Sequence, residues 1–378
     1  MSVTSDVAVI GAGIIGLLTA YQLSRQGHSV TVYETGRPGY GQSAGQSRIF
    51  RHAHDDPRLI RLAVRAREQW REWSDDIGVT TVSDDGALAL GDTAGRRLPL
   101  LRDAGVAAES LDSDAVADVL PLLGAYEGAA VFDPGGGSIH TRAVISALTD
   151  RLTDSLVGEQ VIVLHRDGDG AVVRTPTTRG SHGTVVICAG RGTAALARGA
   201  GITVPVLLGA HVRVSFSVRD GVNRLPTLQD GSGHFGATGV YAAAYPDRSG
   251  YGLGLSEHVD AHDDGAIDDG SRLGGLADAA VGYVDSALPG LDPTPREIVH
   301  CWVTTLPWGD DGMAIWREGP VVVVAGHNLF KHAPVIGEAL AQTVTSGAVP
   351  YDFTPDQRLG AASTEHAGVN ANEYRSIT

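Results

Sequence analysis

The sequence predicts an α/β protein of two domains: a discontinuous domain built on a parallel β-sheet and a second domain built on a largely antiparallel β-sheet. Three observations support this fold class. A strand, a glycine turn and a helix follow one another within residues 6–24. Two wholly apolar runs, 184–190 and 321–326, are typical of parallel strands buried on both faces. Between them, segments within residues 205–300 alternate apolar and polar positions, as half-buried antiparallel strands do.

The N-terminal elements carry the strongest pattern in the chain. Residues 6–10 form an apolar run typical of a strand, and residues 14–24 form an apolar helix. A G-x-G-x-x-G turn joins them, a second strand is predicted over residues 29–33, and an acidic residue follows it directly. The glycine pattern alone would be weak evidence. In this context of strand, helix and acid it indicates a Rossmann-like dinucleotide-binding fold.

Each residue type in this turn has a physical role in holding a dinucleotide. The glycines let the backbone approach a pyrophosphate, which rests on the positive end of the helix. The acid, 18 residues after the last glycine, can accept hydrogen bonds from a ribose. The residues predicted to bind the cofactor here are Gly11, Gly13, Ile14, Ile15, Gly16 and Glu34.

The remaining elements follow from periodicity and from turn residues. In chain order they are a helix at 57–73, strands at 81–90 around a turn at 85–86, loops with one short helix at 91–137, a helix at 141–156, a hairpin of 160–165 with 171–175, and a last helix at 335–346. The predicted domains are 1–80, 138–204 and 301–360 for the nucleotide, 81–137 and 205–300 for the substrate, and a flexible tail at 361–378.

The composition is that of an ordinary globular protein and argues against several partners. With 378 residues and a net charge of −15, the chain is expected to bind neither nucleic acid nor an anionic membrane. No apolar run approaches the ~20 residues of a membrane span, and we expect no signal peptide. The two cysteines suit a reducing cytoplasm. Lys331 is the only lysine among 29 basic residues.

Three further segments carry a resemblance to a known family. They are residues 45–53 (GQSRIFRHA), 300–304 (HCWVT) and 330–338 (FKHAPVIGE). With the glycine turn and the two apolar strands, they resemble the FAD-dependent D-amino-acid oxidase superfamily. Within it, they are most similar to the subgroup of monomeric sarcosine oxidases and N-methyl amino acid oxidases. The resemblance implies that the dinucleotide is FAD and not NAD.

The resemblance assigns two cations to the substrate. Arg51 and Lys331 would hold a substrate carboxylate between them, and Arg48 would lie near the flavin ring. A guanidinium fork fits a carboxylate through two parallel charge-assisted hydrogen bonds. The alternative interpretation is that these three side chains are solvated at the surface.

Two more residues acquire possible roles in the same way. Cys301 would form a thioether with the flavin 8-methyl carbon; the alternative is a buried structural cysteine. His258 matches an active-site histidine of the family. The other histidines show no recognisable order of metal ligands, so no metal site is expected. The resemblance also places at the cofactor Ser47, Val161, Ala189, Gly190, Gly326, Asn328, Leu329 and Phe330, besides Arg48 and Lys331.

The chain departs from the family pattern at three places. Gly254 stands where the family has a lysine that helps reduced flavin react with oxygen, by stabilising the negative charge that forms. Ala44 stands where the sarcosine oxidases have a histidine near the flavin. The loop at 326–331 is about two residues shorter than the family's G-F-S-G-H-G-F-K.

The resemblance implies oxidation of a C–N bond in an amino acid, or in a secondary or cyclic amine bearing a carboxylate. Hydride would pass to flavin N5, an imine would form, and oxygen would reoxidise the flavin to give hydrogen peroxide. The altered loops favour a biosynthetic enzyme acting on an unusual substrate, present as a monomer or small homo-oligomer. Alternatives are a dehydrogenase with another electron acceptor, suggested by Gly254, an NADPH-dependent flavin monooxygenase, and a non-catalytic FAD-binding protein.

Overall fold

The computed structural model describes residues 2–361, so the predicted tail, except for its first residue, lies outside the described part of the chain. The α-helices are α1 (Ile14–Arg25), α2 (Pro57–Ile77), α3 (Asp92–Asp103), α4 (Ser113–Val119), α5 (Thr141–Arg151), α6 (Thr193–Gly199), α7 (Gly270–Ala287) and α8 (Ala333–Ser346). Short 3-10 turns lie at Thr153–Ser155, Gly190–Gly192, Leu329–His332, Tyr351–Phe353 and Pro355–Gln357.

The strands form two large sheets and one small one. In chain order they are β1 (Ser2–Ile10), β2 (Val30–Tyr33), β3 (Arg48–Phe50), β4 (Ala87–Leu90), β5 (Glu109–Leu111), β6 (Ala130–Asp133), β7 (Gly137–Ile139), β8 (Leu156–Val157), β9 (Val163–Asp167), β10 (Gly170–Arg174), β11 (Arg179–Ile187), β12 (Leu207–Ser217), β13 (Thr227–Asp230), β14 (Val240–Ala244), β15 (Gly250–Leu255), β16 (Val259–Asp260), β17 (Glu297–Thr305), β18 (Met313–Glu318) and β19 (Val321–Gly326).

The first sheet has eight strands and a parallel centre. Its order is β18-β19-β11-β1-β2-β8, and the antiparallel hairpin β9–β10 extends from β11. Strand β1 is parallel to both β2 and β11, and β11 is parallel to β19. Helices α1, α2, α5 and α8 contribute apolar side chains to the core on one face. The predicted α/β fold class is confirmed, and the two apolar runs are neighbouring parallel strands.

The second sheet has nine strands in the order β16-β12-β15-β14-β13-β4-β6-β5, with β17 paired to β12. Every pair in it is antiparallel except β4 with β13. Helix α7 covers it and buries Tyr283 against its apolar face. A small sheet of β3 and β7 lies at the chain segments that link the two large sheets.

The structure differs from the prediction in the segment that precedes residue 140. Residues 81–90 do not form a local hairpin, because β4 pairs with β13 and β6, far away in sequence. Residues 91–137 contain two helices, α3 and α4, and strands β5 and β6. Strand β17 spans the predicted domain boundary at residue 301, so residues 301–305 belong by hydrogen bonding to the second sheet. Short strands of this kind depend on distant partners and leave little local signal.

Candidate active site

One large cleft gathers most of the predicted site residues. Its volume is ≈ 1780 Å³, well above the 300–1,000 Å³ typical of a pocket for one small ligand. The residues after β1, β2, β11 and β19 line one side, at the carboxyl ends of adjacent parallel strands. The second sheet supplies the other side through β12, β14 and β17. Such an edge of a parallel sheet is where ligands of open α/β folds bind.

The glycine turn between β1 and α1 is a close-packed cradle. Gly11 has φ +102°, and a Cβ there would collide with the Cys188 carbonyl oxygen. A Cβ on Gly16 would collide with the Gly11 carbonyl oxygen, so this glycine lets the helix pack against the turn. Gly16 therefore shapes the cradle from behind and does not line the cleft.

Two backbone amides at the start of α1 and in the turn before it have side-chain partners. The Ala12 amide donates to Glu34 Oε2 at 2.8 Å, and the Ile14 amide donates to Ser43 Oγ at 3.0 Å. Ser43 was not predicted, since it comes from a loop 29 residues further along the chain. The Ser43 hydroxyl proton stays available to an anion at the helix N-terminus, where phosphate groups bind favourably.

A pair of arginines lies deeper in the cleft. Arg48 donates to the carbonyl oxygens of Ser47 (3.0 Å), Gln42 (3.2 Å) and Ala44, and Arg213 Nη1 donates to the same Ser47 oxygen at 3.3 Å. Burial, and then the charge of Arg213, lowers the pKa of Arg48. The predicted cofactor residue Ser47 does not line the cleft; its hydroxyl donates to the Ala243 carbonyl, and its own carbonyl orients the two guanidinium groups.

The wall contributed by the second sheet is rich in rings. His211 on β12 faces Cys301 on β17 across the strand pair, and both line the cleft. The His211 ring lies 5.7 Å from that of His258 and stacks 5.9 Å from that of His327. Burial lowers the pKa of His211 to about 4, so this imidazole is neutral at physiological pH.

The position of Gly254 is filled by a neighbour. Gly254 on β15 pairs with Tyr241 on β14, and a Cβ added to it would lie 2.6 Å from the Tyr241 hydroxyl oxygen. On its other side the register partner is Arg213 on β12. A side chain at position 254 would therefore have to displace the tyrosine ring and would also press on the Val212 carbonyl oxygen, 2.9 Å from the added Cβ.

The two cations predicted to bind a carboxylate, Arg51 and Lys331, meet at a partly buried acid, Asp311, that was not predicted. Asp311 Oδ2 accepts from Arg51 Nη2 at 3.3 Å and from His54 Nδ1 at 2.7 Å. Asp311 Oδ1 accepts from Asn328 Nδ2 at 2.6 Å and lies 3.6 Å from Lys331 Nζ. Arg51 and Lys331 are therefore brought together, with a carboxylate of the protein between them.

Burial governs the charges in this cluster. It lowers the pKa of Lys331 to about 7, an effect that the charge of Arg51 strengthens and that of Asp311 opposes. Burial also lowers the pKa of His54 to about 3, so His54 is neutral and donates its Nδ1 proton. Burial alone would raise the pKa of Asp311, but Lys331, His54 and Arg51 hold it well below the usual value.

Most predicted residues line the cleft. Those that do so are Gly11, Gly13, Ile14, Ile15, Glu34, Arg48, Arg51, Val161, Ala189, Gly190, His258, Cys301, Gly326, Asn328, Leu329, Phe330 and Lys331. The side chains of this site that were not predicted from the sequence are Ser43, His54, His211, Arg213, Tyr241 and Asp311. Arg213 carried a weak signal, as the one charged residue in the apolar alternation of β12.

Residues 2–361 contain neither a membrane-spanning helix nor a cluster of metal ligands. No helix there combines the length and apolar character needed to cross a bilayer. No group of three or more His, Cys, Asp or Glu side chains within these residues is arranged to hold a metal ion. His52 and His54, which have a metal-like spacing, bind different acids, Asp133 at 2.8 Å and Asp311 at 2.7 Å.

Comparison with known proteins identifies the cofactor. The model of the FAD dependent oxidoreductase family matches residues 6–343. The chain belongs to this family. Peroxisomal sarcosine oxidase of Homo sapiens is 27% identical over 384 residues, which cover 93% of this chain and 94% of that protein. Monomeric sarcosine oxidase of Streptomyces avermitilis is 26% identical over 400 residues, covering 96% and 100%. The resemblance to sarcosine oxidases and the expectation of FAD are confirmed.

Solved structures agree on the fold of this FAD-dependent oxidoreductase. NikD, described as an unusual amino acid oxidase essential for nikkomycin biosynthesis, matches with a TM-score of 0.82 at 23% identity. The match covers 96% of this chain and 98% of NikD. The cleft itself fits FAD, because the Gly11 cradle, the helix N-terminus and Glu34 offer a pyrophosphate and ribose site that opens into the larger cavity.

Proposed function

We propose that this enzyme oxidises a C–N bond of an amino acid, or of a secondary or cyclic amine bearing a carboxylate, to an imine. The main support is the convergence of Arg51 and Lys331 on the cleft. Arg51 Nη1 is buried and has no hydrogen-bond partner among residues 2–361. A guanidinium and an ammonium group together suit a carboxylate. The names of the relatives, oxidases of sarcosine and of an amino acid, agree with this substrate class.

FAD, when bound, would supply the redox chemistry of this reaction, namely hydride acceptance from the carbon beside the substrate nitrogen and electron transfer to oxygen with release of hydrogen peroxide. The protein's part is to bind and orient its two ligands. The residues proposed to hold FAD are Gly11, Gly13, Ile14, Ile15, Glu34, Arg48, Val161, Ala189, Gly190, Cys301, Gly326, Asn328, Leu329 and Phe330.

The chain's own contribution to the reaction is orientation and control of a proton. The substrate carboxylate would bind Arg51 Nη1 and Lys331 Nζ, which fixes the amine at one distance from this clamp. Because Lys331 has a pKa of about 7, an arriving anion favours its protonated form, so the site can take up a proton as the substrate binds. His211, Tyr241 and His258 would bound the rest of the substrate on the opposite wall.

Two electron acceptors are compatible with the proposal: oxygen, as in an oxidase, or another acceptor, as in a dehydrogenase. Gly254 offers no cation, and Tyr241 fills its space, which favours a dehydrogenase that uses an acceptor other than oxygen. Arg213, the register partner of Gly254, and Arg48 nevertheless bring two positive charges close by, which supports an oxidase. Mixing the substrate-reduced enzyme with air separates the two. Reoxidation slower than steady-state turnover with an artificial acceptor would exclude the oxidase.

We further propose that Cys301 can hold FAD covalently. Its thiol lines the cleft beside Arg48 and Tyr241, within the range of their electrostatic influence. Acid precipitation tests this, since a covalent flavin remains yellow in the pellet. The variant Cys301→Ala should release all flavin to the supernatant, whereas Cys188→Ala should leave the linkage intact. Free flavin in the wild-type supernatant would refute the linkage while leaving FAD as the cofactor.

The substrate class is tested with a panel of N-methyl, cyclic and primary amino acids and the matching amines without a carboxylate. We expect only the carboxylates to bleach the flavin under anaerobic conditions, and NADPH not to. Arg51→Gln should raise KM about 10- to 100-fold, the loss of one charge-assisted contact. Arg65→Gln, on an exposed ion pair with Glu338, is the matched control and should leave KM unchanged. Turnover of the uncharged amines would contradict the proposal. We also propose a cytoplasmic and biosynthetic role, of which the location is supported by the two unpaired cysteines.

A further inference from the structure

Asp311 occupies the centre of the proposed substrate clamp. It lies in the loop between β17 and β18, which packs directly on the loop that leads from β19 to Lys331. The His327 amide donates to the Gly312 carbonyl at 3.1 Å, and the Gly312 amide donates to Gly309 at 2.9 Å. The β17–β18 loop therefore packs against the short loop at 326–331 and places the Asp311 carboxylate between Arg51 and Lys331.

Asp311 is held by hydrogen bonds from several side chains. Its two oxygens accept from three donors, on Arg51, His54 and Asn328, and Lys331 stands 3.6 Å away. Its side chain is 20% exposed, so it is reachable from the cleft but enclosed by its partners. A substrate carboxylate could not replace these contacts without leaving the Asp311 charge buried and unpaired, which is costly.

The charged groups around Asp311 do not cancel one another. Arg51 and Lys331 contribute two positive charges when Lys331 is protonated, and Asp311 contributes one negative charge. The histidines there, His54 and His332, are kept neutral by burial. The nearby pair of Arg97 and Asp55 is joined by two hydrogen bonds of 2.7 Å and cancels. One positive charge remains uncompensated, together with the free Arg51 Nη1 group.

We propose that Asp311 is a specificity residue which makes the site accept substrates with a single carboxylate and reject those with a second acidic group near it. The inference rests on the proposed function only in that the substrate carboxylate binds Arg51 and Lys331. One such carboxylate brings the cluster to neutrality. A second one would find no cation of its own, since the charge it would need is already taken by Asp311.

Binding of unreactive anions to the flavin-loaded enzyme tests this without turnover. Acetate and malonate are titrated into holoenzyme, and dissociation constants are read from the change in the flavin absorption spectrum. Wild-type enzyme should prefer acetate. Asp311→Asn, which keeps the size of the side chain, should shift the preference toward malonate by about 10- to 100-fold, as expected for removing one charge at close range. Asp310→Asn, at an exposed neighbour, is the matched control and should shift it far less.

A second variant keeps the test decisive if Asp311→Asn does not fold. Asn328→Asp places another negative charge beside Asp311 at an exposed position whose left-handed backbone suits aspartate. It should weaken acetate and malonate alike, and malonate more. An unchanged malonate-to-acetate ratio in the variants overturns the role of Asp311, and so does wild-type enzyme that binds malonate more tightly. Acetate binding that is as tight in Arg51→Gln as in the wild type would instead refute the carboxylate clamp of the proposed function.

Discussion

Protonation of Lys331 should control the affinity for carboxylates across the neutral pH range. The Lys331 side chain is 5% exposed, and burial together with the charge of Arg51 lowers its pKa from 10.5 to about 7. This shift disfavours the charged form of the amine by about 5 kcal/mol, at 1.36 kcal/mol per pKa unit. Below pH 7 the amine is charged and attracts an anion. Above pH 7 it is neutral, so binding an anion must first draw a proton from solution. By linkage, the dissociation constant of acetate should rise up to about 50-fold from pH 7 to pH 9.

The assay is a series of acetate titrations of the holoenzyme between pH 6 and pH 9, followed through the flavin spectrum. Lys331→Arg is the informative variant, because a guanidinium stays protonated throughout and should flatten the profile. Asp311→Asn should move the wild-type midpoint to lower pH, since Asp311 favours the charged form of Lys331. A wild-type dissociation constant that stays level from pH 6 to pH 9 would refute the reasoning. An equal rise in Lys331→Arg would assign the titration to another group.

Further predictions concern the backbone cradle and the oxygen position. Gly11→Ala should lose bound flavin, seen as a lower ratio of flavin to protein absorbance, because φ is +102° and a Cβ meets the Cys188 carbonyl. The control Gly275→Ala, in α7 with open space around it, should instead stabilise the protein by about 0.5–1 kcal/mol in thermal unfolding. Gly254→Lys should lower Tm because a Cβ at this position overlaps both Tyr241 and the Val212 carbonyl oxygen, so adding Tyr241→Ala should recover only part of the loss. A Gly254→Lys enzyme with unchanged Tm would contradict this account of the wall.

The N-terminal elements illustrate what is readable from local sequence. Strand β1, helix α1 and strand β2 lie within about 30 residues, and the predicted bounds agree with the observed ones to within a residue or, for β1, a few. Their signals are short-range: an apolar run, a glycine turn with a positive φ, and an acid at the next strand end. The hairpin of β9 and β10 was readable for the same reason, since its turn and both strands are adjacent in the chain.

The second sheet was less readable because its pairings are distant. Strand β4 pairs with β13, about 140 residues later in the chain, and no local sequence pattern predicts a parallel pair of that kind. The prediction of a hairpin at residues 81–90 failed because a turn signal at 85–86 was interpreted without the partner strand. Strand β17 lies across the predicted boundary at residue 301 for the same reason, since β12 determines where it pairs.

The features of the candidate site also separate into those that local sequence predicts and those that depend on distant contacts. The sequence alone predicted a dinucleotide site. Its resemblance to the family predicted that the dinucleotide is FAD and that Arg51 and Lys331 bind the substrate. Only the tertiary structure decided that Asp311 stands between those cations, 260 residues from Arg51 along the chain, and that Tyr241 fills the space beside Gly254. A sequence motif such as the glycine turn depends on contacts between residues that are close together in the chain. The net charge and the free volume of a cleft are sums over side chains from many strands, and they exist only once the sheets have packed.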